Sequence, residues 1–263
     1  MLYRGASSAC LYGIYLMEIE ILLLIAAGIF IFAGTIKGLI GLGLPTAVIG
    51  LLSQFTDPRQ AIALLLLPML ASNAVQTYKN GMTLKALKLF WPFALIMFIG
   101  ILIFTQFAAN FSADGLKILV GIMIIVFVLS NVFTKPLIIG EKRDKLAQFF
   151  FGSIAGVMGG LTSLWAPPMA VYLISKGLSK DEFVGALGFL LLAGSIPLFI
   201  GYWHAGLTNP TLLGYSLVMV VPTIFGLLIG EKGRNYLSGE QFRKLLLFIF
   251  FILGLNLIRG AAF

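Results

Sequence analysis

"FAGTIKGLIGLGLP", residues 32–45, sets a lysine inside a glycine-rich apolar run and ends on a proline. Its echo, "FGSIAGVMGGLTSLWAPP", occupies residues 151–168. Gly34, Gly38 and Gly41 recur as Gly152, Gly156 and Gly159, each 118 residues later, and Pro45 returns as Pro167-Pro168. Glycines at i, i+4 and i+7 share one helix face and let another backbone approach closely. The proline suits a helix's first turn, where its missing N–H has no intrahelical partner to lose. Each copy therefore reads as a helix, a break and a new helix.

The runs that follow the breaks, 45–54 and 167–176, are too short for a bilayer core of about 30 Å at about 1.5 Å per residue. With 19–38, 59–78, 85–107, 114–133, 146–160, 182–203, 211–230 and 240–259 they make ten helical pieces. "FSADGLKILVG" (111–121) and "LSGEQFRKLLLF" (237–248) match late in each half, with Ser112 and Ser238 as N-caps. The fold class is all-α: a polytopic membrane protein of two five-segment repeats, with re-entrant hairpins formed by segments 1–2 and 6–7. The divisions are a lead-in at 1–18, a first repeat at 19–134, a basic linker at 135–145 and a second repeat at 146–263. No small-residue cleavage site follows the first apolar stretch, so the lead-in reads as part of helix 1, and Met17 is an alternative start.

Composition agrees. The 263 residues are 60% hydrophobic and 11% charged, with mean hydropathy +1.04, whereas soluble domains carry about a quarter charged residues. The apolar runs do not alternate with period two, which excludes a membrane barrel. A net charge of +8 would suggest nucleic acid in a soluble chain; in a membrane protein it marks basic cytoplasmic loops, and no nucleic-acid partner is expected. With the hairpins turning back, thirteen of the 18 Lys and Arg fall on one side and four on the other, with Lys37 between. Treating each hairpin as one broken span splits the same residues nine to eight. The positive-inside rule favours the first arrangement, so the halves are inverted, the basic loops cytoplasmic and both termini outside.

Chemistry is sparse. One cysteine, Cys10, forms no disulfide framework, and the lone His204 builds no metal site. No metal or cofactor is expected. No Ser/His/Asp set or carboxylate pair is present, which makes an enzyme the weakest reading.

Lys37 is the anomaly. No Asp or Glu falls inside a predicted span, and a lysine at a helix centre in the bilayer costs about 2.5–3.5 kcal/mol on insertion scales. A bound anion would offset that cost; snorkelling to the interface or loss of the proton are the alternatives. Its counterpart in the second half is Ala155, so the charge is one-sided. The half-helices beginning near Pro45-Thr46 and Ala166-Pro167 aim free amides and positive dipole ends into the membrane, an anion site made of backbone. Substrate-binding candidates are Lys37, Thr35, Gly41, Gly43 and Thr46 in the first hairpin. The second hairpin supplies Gly159, Gly160, Thr162, Ser163 and Trp165. Ser72, Asn73 and Gln76 lie along helix 3, and Ser195 is their equivalent on helix 8. Blander roles compete: the glycines pack helices, the hydroxyls bond to the i−4 carbonyl, and Trp165 is an interface ring rather than a gate. Asn73 and Gln76 stand out, because a buried amide needs partners.

The doubled motif resembles the glycine signature of the sulfite exporter TauE/SafE family, of the 4-toluene sulfonate uptake permease superfamily. The resemblance covers nearly the whole chain, on Gly34, Gly38, Gly41, Gly43, Pro45 and Gly152, Gly156, Gly159, Gly160, Pro167. The family's run commonly has three consecutive glycines after the helix; here the copies read Gly41-Leu42-Gly43 and Gly159-Gly160-Leu161, and fewer glycines make a stiffer tip. The resemblance implies a secondary transporter in the bacterial inner membrane. Its partners would be the lipid bilayer and a small sulfur oxyanion or organosulfonate, exported by alternating access. A channel-like anion pathway through the same site is the alternative, and a homodimer is an open assembly state.

Overall fold

A computed structural model of the chain describes residues 8–80, 84–133, 139–233 and 239–262. The described residues form ten α-helices: α1 Ser8–Ile40, α2 Leu44–Leu52, α3 Pro58–Asn80, α4 Leu84–Ala108, α5 Ala113–Phe133, α6 Asp144–Thr162, α7 Ala166–Ser175, α8 Lys180–His204, α9 Pro210–Gly233 and α10 Gly239–Ala262. A single 3-10 turn, Glu141–Arg143, precedes α6. Each predicted piece maps onto one helix. The largest difference is α1, expected from residue 19 and helical from Ser8. An apolar run marks the part that crosses the bilayer, and the helix continues past it.

Among the described residues six helices are long and apolar enough to cross a membrane, including Leu22–Ile40, Pro58–Lys79 and Glu182–His204. Their outer faces expose side chains such as Leu24, Phe107 and Val221. This is a polytopic membrane protein. Ser112 caps α5 as expected, its hydroxyl accepting from the Gly115 N–H at 3.0 Å. Ser238, Arg4, Lys135 and Arg234 lie outside the described residues.

The principal packing pairs keep their pattern when α1–α5 are exchanged for α6–α10: α1 packs on α9 as α6 packs on α4, and α3 on α9 as α8 on α4. The equivalent helices α3 and α8 meet directly. Along α3 the contacts rise from Asn73 to Thr77, while on α8 they fall from Leu191 and Ser195 to Gly188. These two equivalent helices therefore run antiparallel.

Glycines set the closest contacts. A Cβ on Gly34 would strike the Thr223 carbonyl, one on Gly38 the Leu227 carbonyl, and one on Gly230 the Thr35 carbonyl. At those points α1 and α9 touch backbone to backbone, and Gly156 meets Gly100 in the same way between α6 and α4. Gly34, Gly38, Gly152 and Gly156 thus serve close helix packing. Helix prolines are managed from neighbouring helices. Pro68 cannot bond the Leu64 carbonyl, and the Ser216 hydroxyl from α9 donates to it at 2.9 Å. Beside Pro92, Gln148 from α6 inserts between the Phe93 N–H (3.2 Å) and the Leu89 carbonyl (3.1 Å).

Candidate functional site

The two helix breaks meet. Gly41, Leu42 and Gly43 of the first hairpin and Ser163, Leu164 and Trp165 of the second line one narrow cavity, with Lys37 and Asn73 in its wall. Gly41 and Gly43 have φ of +87° and +99°, the left-handed region that side chains disfavour. The chain turns there without strain because neither residue has a Cβ. In the second hairpin Ser163 takes the corresponding turn at φ +62°, which puts its backbone in a region costly for a non-glycine residue.

The half-helix ends are unequal. α2 begins Leu44-Pro45-Thr46, so its first turn carries the Leu44 and Thr46 amides. α7 begins Ala166-Pro167-Pro168, and neither proline has an N–H. The expectation that both half-helices beginning near Pro45-Thr46 and Ala166-Pro167 aim free amides alike is therefore corrected: the first three positions of α7 offer only the Ala166 amide. The backbone donors come mainly from the first hairpin, on the side that carries the lysine.

Lys37 is buried, 3% exposed, and does not snorkel. Its Nζ donates to Ser72 Oγ at 3.1 Å and to Asn73 Oδ1. Asn73 Nδ2 in turn donates to Ser195 Oγ at 2.7 Å and to the Leu191 carbonyl at 3.2 Å. The chain of contacts ties the first hairpin to α3 and then to α8 of the other half. Among the described side chains no carboxylate pairs with Lys37; both its partners are neutral.

The remaining candidates fall into four groups. Thr46 and Ser163 line the cavity with Gly41 and Gly43, and the buried Ser163 hydroxyl has no hydrogen-bond partner among the described residues. Trp165 closes one wall, 1% exposed, its indole wedged where a Cβ on Gly159 or Gly194 would collide with it. It is a core residue rather than an interface ring. Thr35 and Thr162 bond back to the Ile31 and Met158 carbonyls, and Gly160 packs on Phe104 and Ile101; these three do not line the cavity. Gln76 Nε2 donates to the Gly41 carbonyl at 3.3 Å, pinning the first tip to α3.

The narrow cavity holds about 20 Å³, space for roughly one water centre and too little for a polyatomic anion at the present spacing. A second cavity, of about 440 Å³, reaches Lys37 and Gly41 from the end of the molecule where α3 and α9 finish. Gln76, Lys79 and Glu231 supply its polar lining, and Phe183, Leu187 and Leu227 its apolar wall. This vestibule leads to the lysine.

A model of the family described as sulfite exporter TauE/SafE matches residues 25–257. The chain belongs to the sulfite exporter TauE/SafE family. Comparisons with curated proteins and with solved structures give no significant match. Membership makes it a membrane transporter of a family that carries anions, not one of enzymes.

Sequence reasoning missed two features of this TauE/SafE protein. Lys79 and Glu231 counted only as loop charges; they form an ion pair at 2.6 Å across the vestibule mouth. Asp144 also went unnoticed. Its carboxylate accepts from Lys176 Nζ, the Tyr172 hydroxyl and Gln148 Nε2, each at 2.9 Å. Burial pushes this carboxyl up, but the bonds from Lys176, Gln148 and Tyr172 together outweigh burial and hold it below its usual range. The visible signal was the i, i+4 spacing of Asp144 and Gln148.

Proposed function

We propose that the protein is a secondary transporter that exports a small sulfur-containing anion (sulfite, thiosulfate or an organosulfonate) across the bacterial inner membrane by alternating access. Two halves in inverted orientation close around one central site, with the basic loops in the cytoplasm. Lys37 supplies the charge, the Leu44 and Thr46 amides and the Ser163 hydroxyl supply donors, and Asn73, Ser72 and Ser195 hold the lysine. Gln76 fixes the tip.

The observation that carries this reading is a buried lysine without a carboxylate, placed where two broken helices meet and reached by a vestibule. A cation so placed is costly until an anion neutralises it. The antiparallel meeting of α3 and α8 supports inversion, since a parallel repeat would run equivalent helices the same way. Irregular backbone at membrane depth is tolerated where it is buried in protein or lines a cavity, and the narrowness of the inner cavity supports an occluding site over an open pore.

The test is sulfite flux in proteoliposomes. The expected result is saturable uptake with accelerated exchange when sulfite is also present on the far side. Non-saturating flux without exchange would establish the channel-like pathway. Correctly folded protein that moves no sulfite, thiosulfate or sulfonate refutes the transport reading.

A further inference from the structure

Among the described residues, two lysines line the vestibule, and one of them faces a carboxylate. Lys79 stands at the mouth, paired with Glu231 at 2.6 Å, with the two side chains 43% and 30% exposed. Lys37 stands at the inner end with neutral partners. Both lysines line the same cavity of about 440 Å³, with Gln76 between them on the wall. On α3 the spacing of Asn73, Gln76 and Lys79 keeps them on one flank of the helix, stepping roughly 9 Å from the inner end to the mouth.

Resting on the transport reading above, we propose that Lys79 is a second anion-docking group and that Glu231 is its resident competitor. An oxyanion entering the vestibule displaces the Glu231 carboxylate from Lys79, then passes Gln76 to reach Lys37. The chemistry fits. A carboxylate and a small oxyanion offer an ammonium group the same kind of charged acceptor oxygens. An ion pair this open to water is held weakly, so exchange of one anion for another on Lys79 is easy. Glu231 also keeps the vestibule from carrying two unbalanced positive charges while no anion is present. It acts as a placeholder for the cargo.

A purely structural clamp between α3 and α9 would use the same contact, and the experiment separates the two. Full-length protein is reconstituted, and the sulfite concentration giving half-maximal thermal stabilisation is measured alongside the flux KM from the vestibule side. Glu231→Gln removes the competitor, and both values fall about two- to fivefold, the effect of one charge at this range in a wet cavity. Lys79→Gln raises both by a similar factor. In a Lys79→Gln background the gain from Glu231→Gln is lost, because no docking group remains to be freed. The proposal is overturned if Glu231→Gln leaves the values unchanged or raises them, if Lys79→Gln has no effect, or if the Glu231→Gln gain is equal in both backgrounds. Sulfite stabilisation without flux in the wild type refutes transport while the docking comparison still stands on the stabilisation data. Absence of both refutes the two together.

Discussion

Replacing Lys37 by methionine separates a lysine that serves a ligand from one that serves the fold. The change removes a buried cation, 3% exposed, that has no carboxylate partner among the described residues, relieving about 2.5–3.5 kcal/mol of burial cost. Against this, Asn73 Oδ1 loses its donor, and an unsatisfied buried acceptor costs about 1–3 kcal/mol. Ser72 keeps its bond to the Met69 carbonyl at 3.2 Å. Lys37→Met therefore lies within about 2.5 kcal/mol of the wild type without ligand. With ligand the two diverge. Sulfite at about a hundred times its Kd stabilises the wild type by about 2.7 kcal/mol, a Tm rise on the order of 5–10 °C for a chain of this size. The variant shows none. The assay is a thermal-unfolding series of detergent-purified protein against sulfite, thiosulfate, sulfate and a sulfonate. Full ligand-dependent stabilisation in Lys37→Met would refute the assignment of Lys37 to the anion and leave it a packing residue.

Two further outcomes follow from the packing. Gly38→Ala drives a methyl group into the Leu227 carbonyl, whereas Gly28, on the same helix, has open space around it. Gly38→Ala should lower stability by about 1–3 kcal/mol and Gly28→Ala should not, and equal Tm values would contradict the backbone contact. Asp144→Asn lowers Tm at neutral pH by weakening the contacts to Lys176 and Tyr172. Because the folded carboxyl sits below its usual range, its stabilisation is complete above the unfolded pKa and fades as pH falls through the folded value. The Tm gap between wild type and Asp144→Asn should hold from pH 8 to 5 and narrow below about pH 4; a constant gap down to pH 3 would show that the charge is immaterial.

Much of the fold was legible because a bilayer imposes length and apolarity on every crossing, and because glycine and proline mark where helices must end. The doubled motif therefore located both helix breaks, and α2 and α7 emerged as short helices. The start of α1 was not legible, since hydropathy reports the crossing and is silent on helix outside it. At the site, the lysine without an acid was visible in the sequence, and so were Ser72, Asn73 and Ser195. Their joining was not, because it depends on how α3 and α8 cross. The Lys79–Glu231 pair spans 152 residues and leaves no local pattern. The missing amides of Pro167 and Pro168 are legible from residue identity alone, and they make the second half-helix a poorer donor than the first.

The crossing of α3 and α8 has a mechanical consequence. Ser72 and Ser195, which occupy matching places in the two halves, both belong to the Lys37–Asn73 cluster, so the cluster sits close to where the halves exchange. In a seesaw, the board moves least above its fulcrum. Under the alternating access proposed above, a tilt of the two halves would carry the mouth of the vestibule far while the lysine and its anchors barely shift. Discrimination by size is then fixed at one depth whichever face is open, and the mouth is free to widen or change its charge without altering which anion is accepted at the centre.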